Sequence, residues 1–146
     1  MDIILIAAIT LDGFIARHRH EIVDWSEDLA LFKQQTMGYP VILGFNTFKS
    51  LQKELEGRDL IVVQRNDDPG KILEKLTRPK CFIGGGGKTN ALFAPFLTHV
   101  YLTPHPIAFG KGVSLFYQLE KELELEEMGR IQVNDKITQL QYRVIK

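Results

Sequence analysis

Cysteine is almost absent from this 146-residue chain: Cys81 is the only one, which excludes an intrachain disulfide and any zinc centre built from paired cysteines. In "KCFIG" it reads as a small buried strand residue. Charge of one sign is absent as well. Eighteen basic and eighteen acidic side chains leave a formal net charge of +0, so nothing in the overall field favours nucleic acid or an anionic membrane surface as a partner. Long hydrophobic runs are missing. The opening "MDIILIAAIT" is too short to span a bilayer and has no basic flank, and its β-branched content reads as a buried strand. A cytoplasmic location is expected. His18, His20, His99 and His105 share no metal-ligand spacing with carboxylates, so no metal is expected. No Ser-His-Asp arrangement is legible. Neither repeat nor linker interrupts the chain, and residues 1–146 are expected to form a single domain.

What is present is an alternation of strand and helix signals. Ile3–Thr10, Pro40–Gly44, Leu60–Val63, Cys81–Gly84 and Val100–Thr103 are short apolar runs of the kind that parallel strands bury on both faces. Between them, Ser26 can cap a helix running to about Met37, with Gly38 just past its end. Asn46–Lys53, Gly70–Leu76 and Thr89–Phe96 are shorter helical candidates. "VSLFYQLE", "ELELEEM" and "TQLQYRVIK" lack helical periodicity and read as strands. The fold class is therefore α/β: a mainly parallel central sheet with helices on both faces, closed by antiparallel C-terminal strands. Ligands of such sheets sit beyond the carboxyl ends of the strands, a rule that selects "TLDGFIA", "GFNT", "QRN", "GGGGKT" and "TPHP".

Two stretches carry chemistry, the glycine run and the helix start at Asp28. "IGGGGKT" follows a strand and precedes a helix, where bare glycine backbone can approach a diphosphate. It is neither the triphosphatase loop, which needs glycine where Phe82 stands, nor G-x-G-x-x-G, whose third glycine is replaced by Thr89. Asp28 lies three and four residues before Leu31 and Phe32, a spacing that shares one helix side. A carboxylate there either serves the helix dipole, as Glu27 beside it can, or faces a cleft with something to bind.

The ordered series "LIAAITLDGFIA", Trp25, "DLALFK", "PVILGFNTFKSL", "LEGRDLIVV", "FIGGGG" and "VYLT" resembles dihydrofolate reductase, from about Ile3 to Thr103, with a weaker echo in "FGKGVSLF". The reductase domain of riboflavin biosynthesis enzymes shares this fold, and "LDGFIA" resembles that branch at least as well. The resemblance implies an NADPH-dependent oxidoreductase acting on dihydrofolate or a related pteridine or pyrimidine. It casts Asp28 as the acid that binds the pterin, Thr103 as its support and Trp25 as the tryptophan of the active-site loop. Ala8, Phe32 and Leu51 then contact substrate, and Arg58 of "EGRDL" clamps the folate glutamate. Ile15, Gly44, Thr47 and Gly84, Gly85 and Gly86 correspond to cofactor contacts, with Ala8, Asn46, Gly87 and Lys88 beside them. Phe45 stands where the family usually has a basic residue near the adenosine phosphate; Arg65 is the alternative source of that charge. Gly87 is an extra residue relative to the family pattern. The rival readings are a reductase of a ribosylamino-pyrimidine phosphate and a non-catalytic pteridine- or nucleotide-binding domain.

Overall fold

Alternation along each strand divides the apolar side chains between two opposite cores. The structure, a computed structural model, describes residues 1–51 and 53–146. Its strands are β1 (Asp2–Ile9), β2 (Phe14–Ala16), β3 (Pro40–Gly44), β4 (Asp59–Val63), β5 (Lys80–Ile83), β6 (His99–Pro104), β7 (Val113–Ser114), β8 (Glu124–Gln132) and β9 (Thr138–Ile145). The helices are α1 (Leu29–Thr36), α2 (Phe45–Leu51), α3 (Pro69–Glu74) and α4 (Gly87–Phe93), the last continued by a 3₁₀ turn over Ala94–Phe96. On one face Ile3, Leu5, Ile42, Cys81 and Ile83 pack with Leu73 of α3 and Phe93 of α4. On the other, Ile4, Ile6, Val41, Leu43 and Phe82 meet Phe32 of α1 and Phe48 and Leu51 of α2. Consecutive residues of β1, β3 and β5 thus fill different cores, which is why these strands read as unbroken apolar runs.

The strands join in the order β4-β3-β5-β1-β6-β9-β8, parallel from β4 to β6 and antiparallel for β9 and β8. β1 sits at the centre, with Ile4 opposite Phe82 of β5 and Ala8 opposite Thr103 of β6. Ala8 and Thr103 therefore present their side chains to the α1–α2 face at the carboxyl end of the sheet. A reciprocal amide pair ties α1 to β9: Gln35 Nε2 donates to Gln139 Oε1 at 2.8 Å, and Gln139 Nε2 donates back to Gln35 Oε1 at 2.9 Å.

Three expected elements differ. "VSLFYQLE" forms only the two residues of β7, paired with β2, a strand the sequence did not signal. Its Leu115 and Phe116 instead turn into the core beside α3 and α4. The helix expected from Ser26 begins at Leu29, with Asp28 in the cap position. The candidate over Asn46–Lys53 appears as α2, and its Gln52 lies outside the described residues. Among the described residues, no helix is long and apolar enough to cross a membrane.

Candidate active site

A cavity of about 700 Å³ opens beyond the carboxyl ends of β1, β3 and β5. The place is the one that open parallel sheets reserve for ligands. One wall is apolar: Ala8 of β1, Ile15 of β2, Leu29 and Phe32 of α1, and Leu51 of α2. Trp25 and Asp28 stand beside it, on the segment leading into α1.

Asp28 is 7 % exposed and lines the cavity. Its backbone, at φ −109° and ψ 16°, lacks the extended geometry in which a cap oxygen reaches back over the first turn, and its side chain makes no cap bond. Its carbonyl starts the helix by accepting the Phe32 N–H at 3.0 Å. Among the described residues, no group donates to the carboxylate. The carboxylate opens on the cavity, where its oxygens are acceptors within reach of a ligand with N–H donors. The hydrogen bond expected from Thr103 is not formed. Thr103 is fully buried, and among the described residues its Oγ1 has no hydrogen-bond partner.

Behind this wall lies a network that the sequence did not announce. Glu21, in the cavity lining, accepts the Arg17 N–H at 3.1 Å, the Arg17 guanidinium at 2.8 Å and Trp25 Nε1–H at 3.3 Å. Burial pushes the Glu21 carboxyl up, but the bonds from Arg17 and Trp25 together outweigh it and hold it below the ordinary value. Arg17 also lies over Phe109, 4.5 Å from the ring centroid, and Phe109 meets Trp25 edge-on at 5.3 Å. Nearby, the Thr10 hydroxyl donates to Asp12 Oδ1 at 2.6 Å. The N–H groups of Gly110 and Phe109 reach the same carboxylate at 2.7 and 3.1 Å. The Thr10 bond, with these main-chain donors, keeps Asp12 below the usual carboxylate range. The loop after β1 is thereby tied to the loop after β6.

The opposite wall is built from glycine. Gly44 N–H donates to the Gly85 carbonyl at 2.8 Å, and a Cβ on Gly44 would stand 2.9 Å from Thr89 Oγ1. The two strand-to-helix turns cross here too closely for a side chain. Gly85 has φ +102°, a conformation that L side chains rarely adopt. Gly86 caps α4 without a side-chain bond, so the N–H groups of the first turn have no acceptor within the helix. Gly87, extra to the expected pattern, lets the chain cross itself, since a Cβ there would lie 2.6 Å from the Ser114 carbonyl.

The cavity brings together most of the residues singled out in the sequence: Ala8, Ile15, Trp25, Asp28, Phe32, Phe45, Asn46, Thr47, Leu51, Gly44, Gly84 to Gly87 and Lys88. It leaves out three. Thr103 lies behind the wall. Arg65 is exposed just beyond β4 and does not line the cavity. Arg58 is engaged elsewhere: its Nε donates to Thr36 Oγ1 at 3.1 Å, its other nitrogens to the Glu56 carbonyl at 2.6 Å and to the Lys33 carbonyl. It closes the last turn of α1, where carbonyls need donors, and bonds the Glu56 main chain rather than a neighbouring carboxylate. Lys49 escaped notice, yet its Nζ lies 5.6 Å from the centroid of Phe45, whose ring is 57 % exposed. Spacing held the clue, since Lys49 follows Phe45 by four residues on one helix. Among the described residues, no group of three or more His, Cys, Asp or Glu side chains could hold a metal ion.

Comparison with known proteins agrees with this architecture. The family model described as Dihydrofolate reductase matches residues 2–145. The type 3 dihydrofolate reductase of Salmonella typhimurium is 40% identical over 117 residues, covering 70% of this chain and 71% of the relative. A dihydrofolate reductase of Mycobacterium tuberculosis is 34% identical over 88 residues, so the chain spans only about half of that relative, 55%. Among solved structures, an Enterococcus faecalis dihydrofolate reductase complexed with NADP(H) and RAB-propyl superposes with a TM-score of 0.80 at 21% identity, covering 99% of this chain and 97% of that one. A putative riboflavin biosynthesis protein from Shewanella sp. PV-4 gives 0.71 at 21% identity over 100% of both chains. At such identities the structures speak for the fold, while the matched sequence speaks for descent: the chain belongs to the dihydrofolate reductase family.

Proposed function

We propose that the protein reduces 7,8-dihydrofolate to tetrahydrofolate with NADPH. The observation that carries this reading is Asp28, a nearly buried residue whose carboxylate faces the cavity and has no protein donor among the described residues. A pterin offers a ring N–H and an amino group side by side, a pair of donors that matches the two oxygens of one carboxylate. Phe32, Leu51 and Ala8 supply apolar surface for the ring and exclude water around it.

The glycine wall suits NADPH. Gly84, Gly85 and Gly86 offer bare backbone, Thr47 stands across from them with its hydroxyl 3.6 Å from where a Cβ of Gly86 would lie, and Lys88 adds a cation to the same lining. Main-chain N–H groups, a hydroxyl and an ammonium are the donors a diphosphate needs. When bound, NADPH supplies the hydride that adds to pterin C6, while N5 takes up a proton. Asp28 grips the edge remote from these atoms, so the proton reaches N5 from water. Asp28 thus orients the substrate, and Trp25 closes the wall next to it.

The second reading is reduction of a ribosylamino-pyrimidine phosphate. It is favoured by one observation: the Arg58 guanidinium is spent on the end of α1 rather than presented to a glutamate tail. The deciding experiment follows NADPH oxidation with dihydrofolate, a tail-less dihydropterin and the pyrimidine phosphate in parallel. Consumption of both pterins supports the proposal. Consumption of the pyrimidine alone transfers the chain to the riboflavin branch, and no oxidation with any of them leaves a binding domain.

A further inference from the structure

His105 follows directly on β6 and is 3 % exposed, outside the cavity wall. Its Nε2 accepts the main-chain N–H of Glu27 at 3.0 Å, and its Nδ1 lies 2.8 Å from the Thr103 carbonyl. A main-chain N–H only donates and a carbonyl only accepts. Both contacts therefore form together in one state alone, the neutral imidazole with its proton on Nδ1. The same ring stands edge-on to Trp25, with centroids 5.3 Å apart at 87°.

Glu27 immediately precedes Asp28, so the ring holds the short stretch that carries the cavity carboxylate at two points. That stretch needs holding. α1 begins only at Leu29, and the Asp28 side chain has no protein bond of its own among the described residues. The Glu27 carboxylate turns outward instead, accepting from Asn134 Nδ2 at 3.1 Å. At the other end, Thr103 is fixed in the sheet opposite Ala8 of β1.

We propose that His105 is a positioning residue for Asp28: its imidazole transmits the rigidity of β6 to the Glu27 N–H and so sets where the ligand-binding carboxylate stands. The inference rests on the dihydropterin reading for what Asp28 binds, but not for the positioning itself. The sharpest test compares His105→Asn with His105→Gln. Asparagine keeps a donor within reach of the Thr103 carbonyl and loses the acceptor for Glu27; glutamine extends an amide oxygen towards the Glu27 N–H. KM for dihydrofolate should rise about tenfold in His105→Asn, with kcat and the KM for NADPH within about threefold, and His105→Gln should recover most of the loss. Two readouts need no substrate. Hydrogen exchange of the Glu27 amide should accelerate in His105→Asn and stay slow in His105→Gln. Trp25, the only tryptophan in the chain, should shift its emission to the red in the asparagine variant. Should His105→Asn fail to fold, ¹⁵N spectra of the wild type still decide: the proton must reside on His105 Nδ1 and the Glu27 amide must be protected. Unchanged Glu27 exchange in His105→Asn, or equal KM changes for both substrates, would overturn the proposal. Failure of the wild type to oxidise NADPH with dihydrofolate would remove the functional reading and leave Glu27 exchange to decide the role of His105.

Discussion

Thr103→Val exchanges a hydroxyl for a methyl group at a position that is 0 % exposed and whose Oγ1 has no hydrogen-bond partner among the described residues. In the unfolded chain that hydroxyl is hydrated, so folding removes its water and returns nothing. The penalty for such a group is about 1–3 kcal/mol in proteins, and the added methyl contributes roughly another 0.8 kcal/mol of burial. Imperfect fit of the methyl, which must sit where an oxygen sat, offsets part of this. A net gain of about 1–2 kcal/mol remains, a rise in Tm of roughly 3–8 °C for a domain of this size. Activity should move the other way. Thr103 shares the sheet face of Ala8, and the resemblance that casts it as the support of Asp28 predicts that Oγ1 finds its partner in the substrate complex. Losing that bond costs about 0.5–1.5 kcal/mol, a fall in kcat/KM of roughly two- to tenfold. Urea unfolding without ligands and steady-state assays with dihydrofolate measure the two effects separately, with Thr103→Ser as the control that retains the hydroxyl. Destabilisation of Thr103→Val by more than about 0.5 kcal/mol would refute the reasoning, because it would mean that the hydroxyl is already bonded in the folded protein.

Asp28→Asn should fold normally by circular dichroism and lose about two orders of magnitude in kcat/KM, since two charge-assisted bonds of about 1.5–3 kcal/mol each are weakened or reversed; near-normal turnover would remove Asp28 from the site. Arg58→Ala should lower stability by about 1–3 kcal/mol through the uncapped end of α1 and change KM equally for dihydrofolate and a tail-less dihydropterin; a selective loss for dihydrofolate would restore the tail clamp. Neither Lys49 nor Arg65 lines the cavity, so Lys49→Met and Arg65→Ala should each leave the preference for NADPH over NADH within about twofold, as judged by the two KM values. A loss of about tenfold in Arg65→Ala would place the phosphate there. Burial pushes the Cys81 thiol up from 9.0 to about 11, and the folded state therefore holds its proton where the unfolded chain has lost it. Its contribution is intact below pH 9.0 and declines as pH rises towards about 11. Urea midpoints across that window should fall less steeply for Cys81→Val than for the wild type, and parallel slopes would exclude the thiol.

The sheet was legible because each parallel strand must bury both faces, and Ile3, Ile4, Leu5 and Ile6 leave no other reading. Helix starts were less so. Ser26 is the better cap by type, yet Glu27 gives its N–H to His105, a residue 78 positions away, and the helix waits until Leu29. "VSLFYQLE" failed for a related reason: Leu115 and Phe116 gain more by entering the core than by extending β7. Local pattern cannot weigh such distant partners. The glycine run and Asp28 could be placed in one cavity because the carboxyl-end rule links them through the sheet. What stayed hidden was reached by side chains alone: the Arg58 contacts with α1, Lys49 over Phe45, and the Glu21 network beneath Trp25.

Among the described residues β1 pairs with β5 and β6, so residues 80–83 must exist before the central strand has a first neighbour and residues 99–104 before it has both. On the ribosome this is a delay of roughly 4–20 s at ordinary elongation rates. Throughout it, Ile3 to Ile9 form an uncharged segment rich in β-branched residues with at least one edge unpaired, a composition that favours self-pairing. Refolding from denaturant should therefore lose yield steeply as protein concentration rises. The strand at the centre of the finished sheet is also, of the five parallel strands, the one that waits longest for a first neighbour.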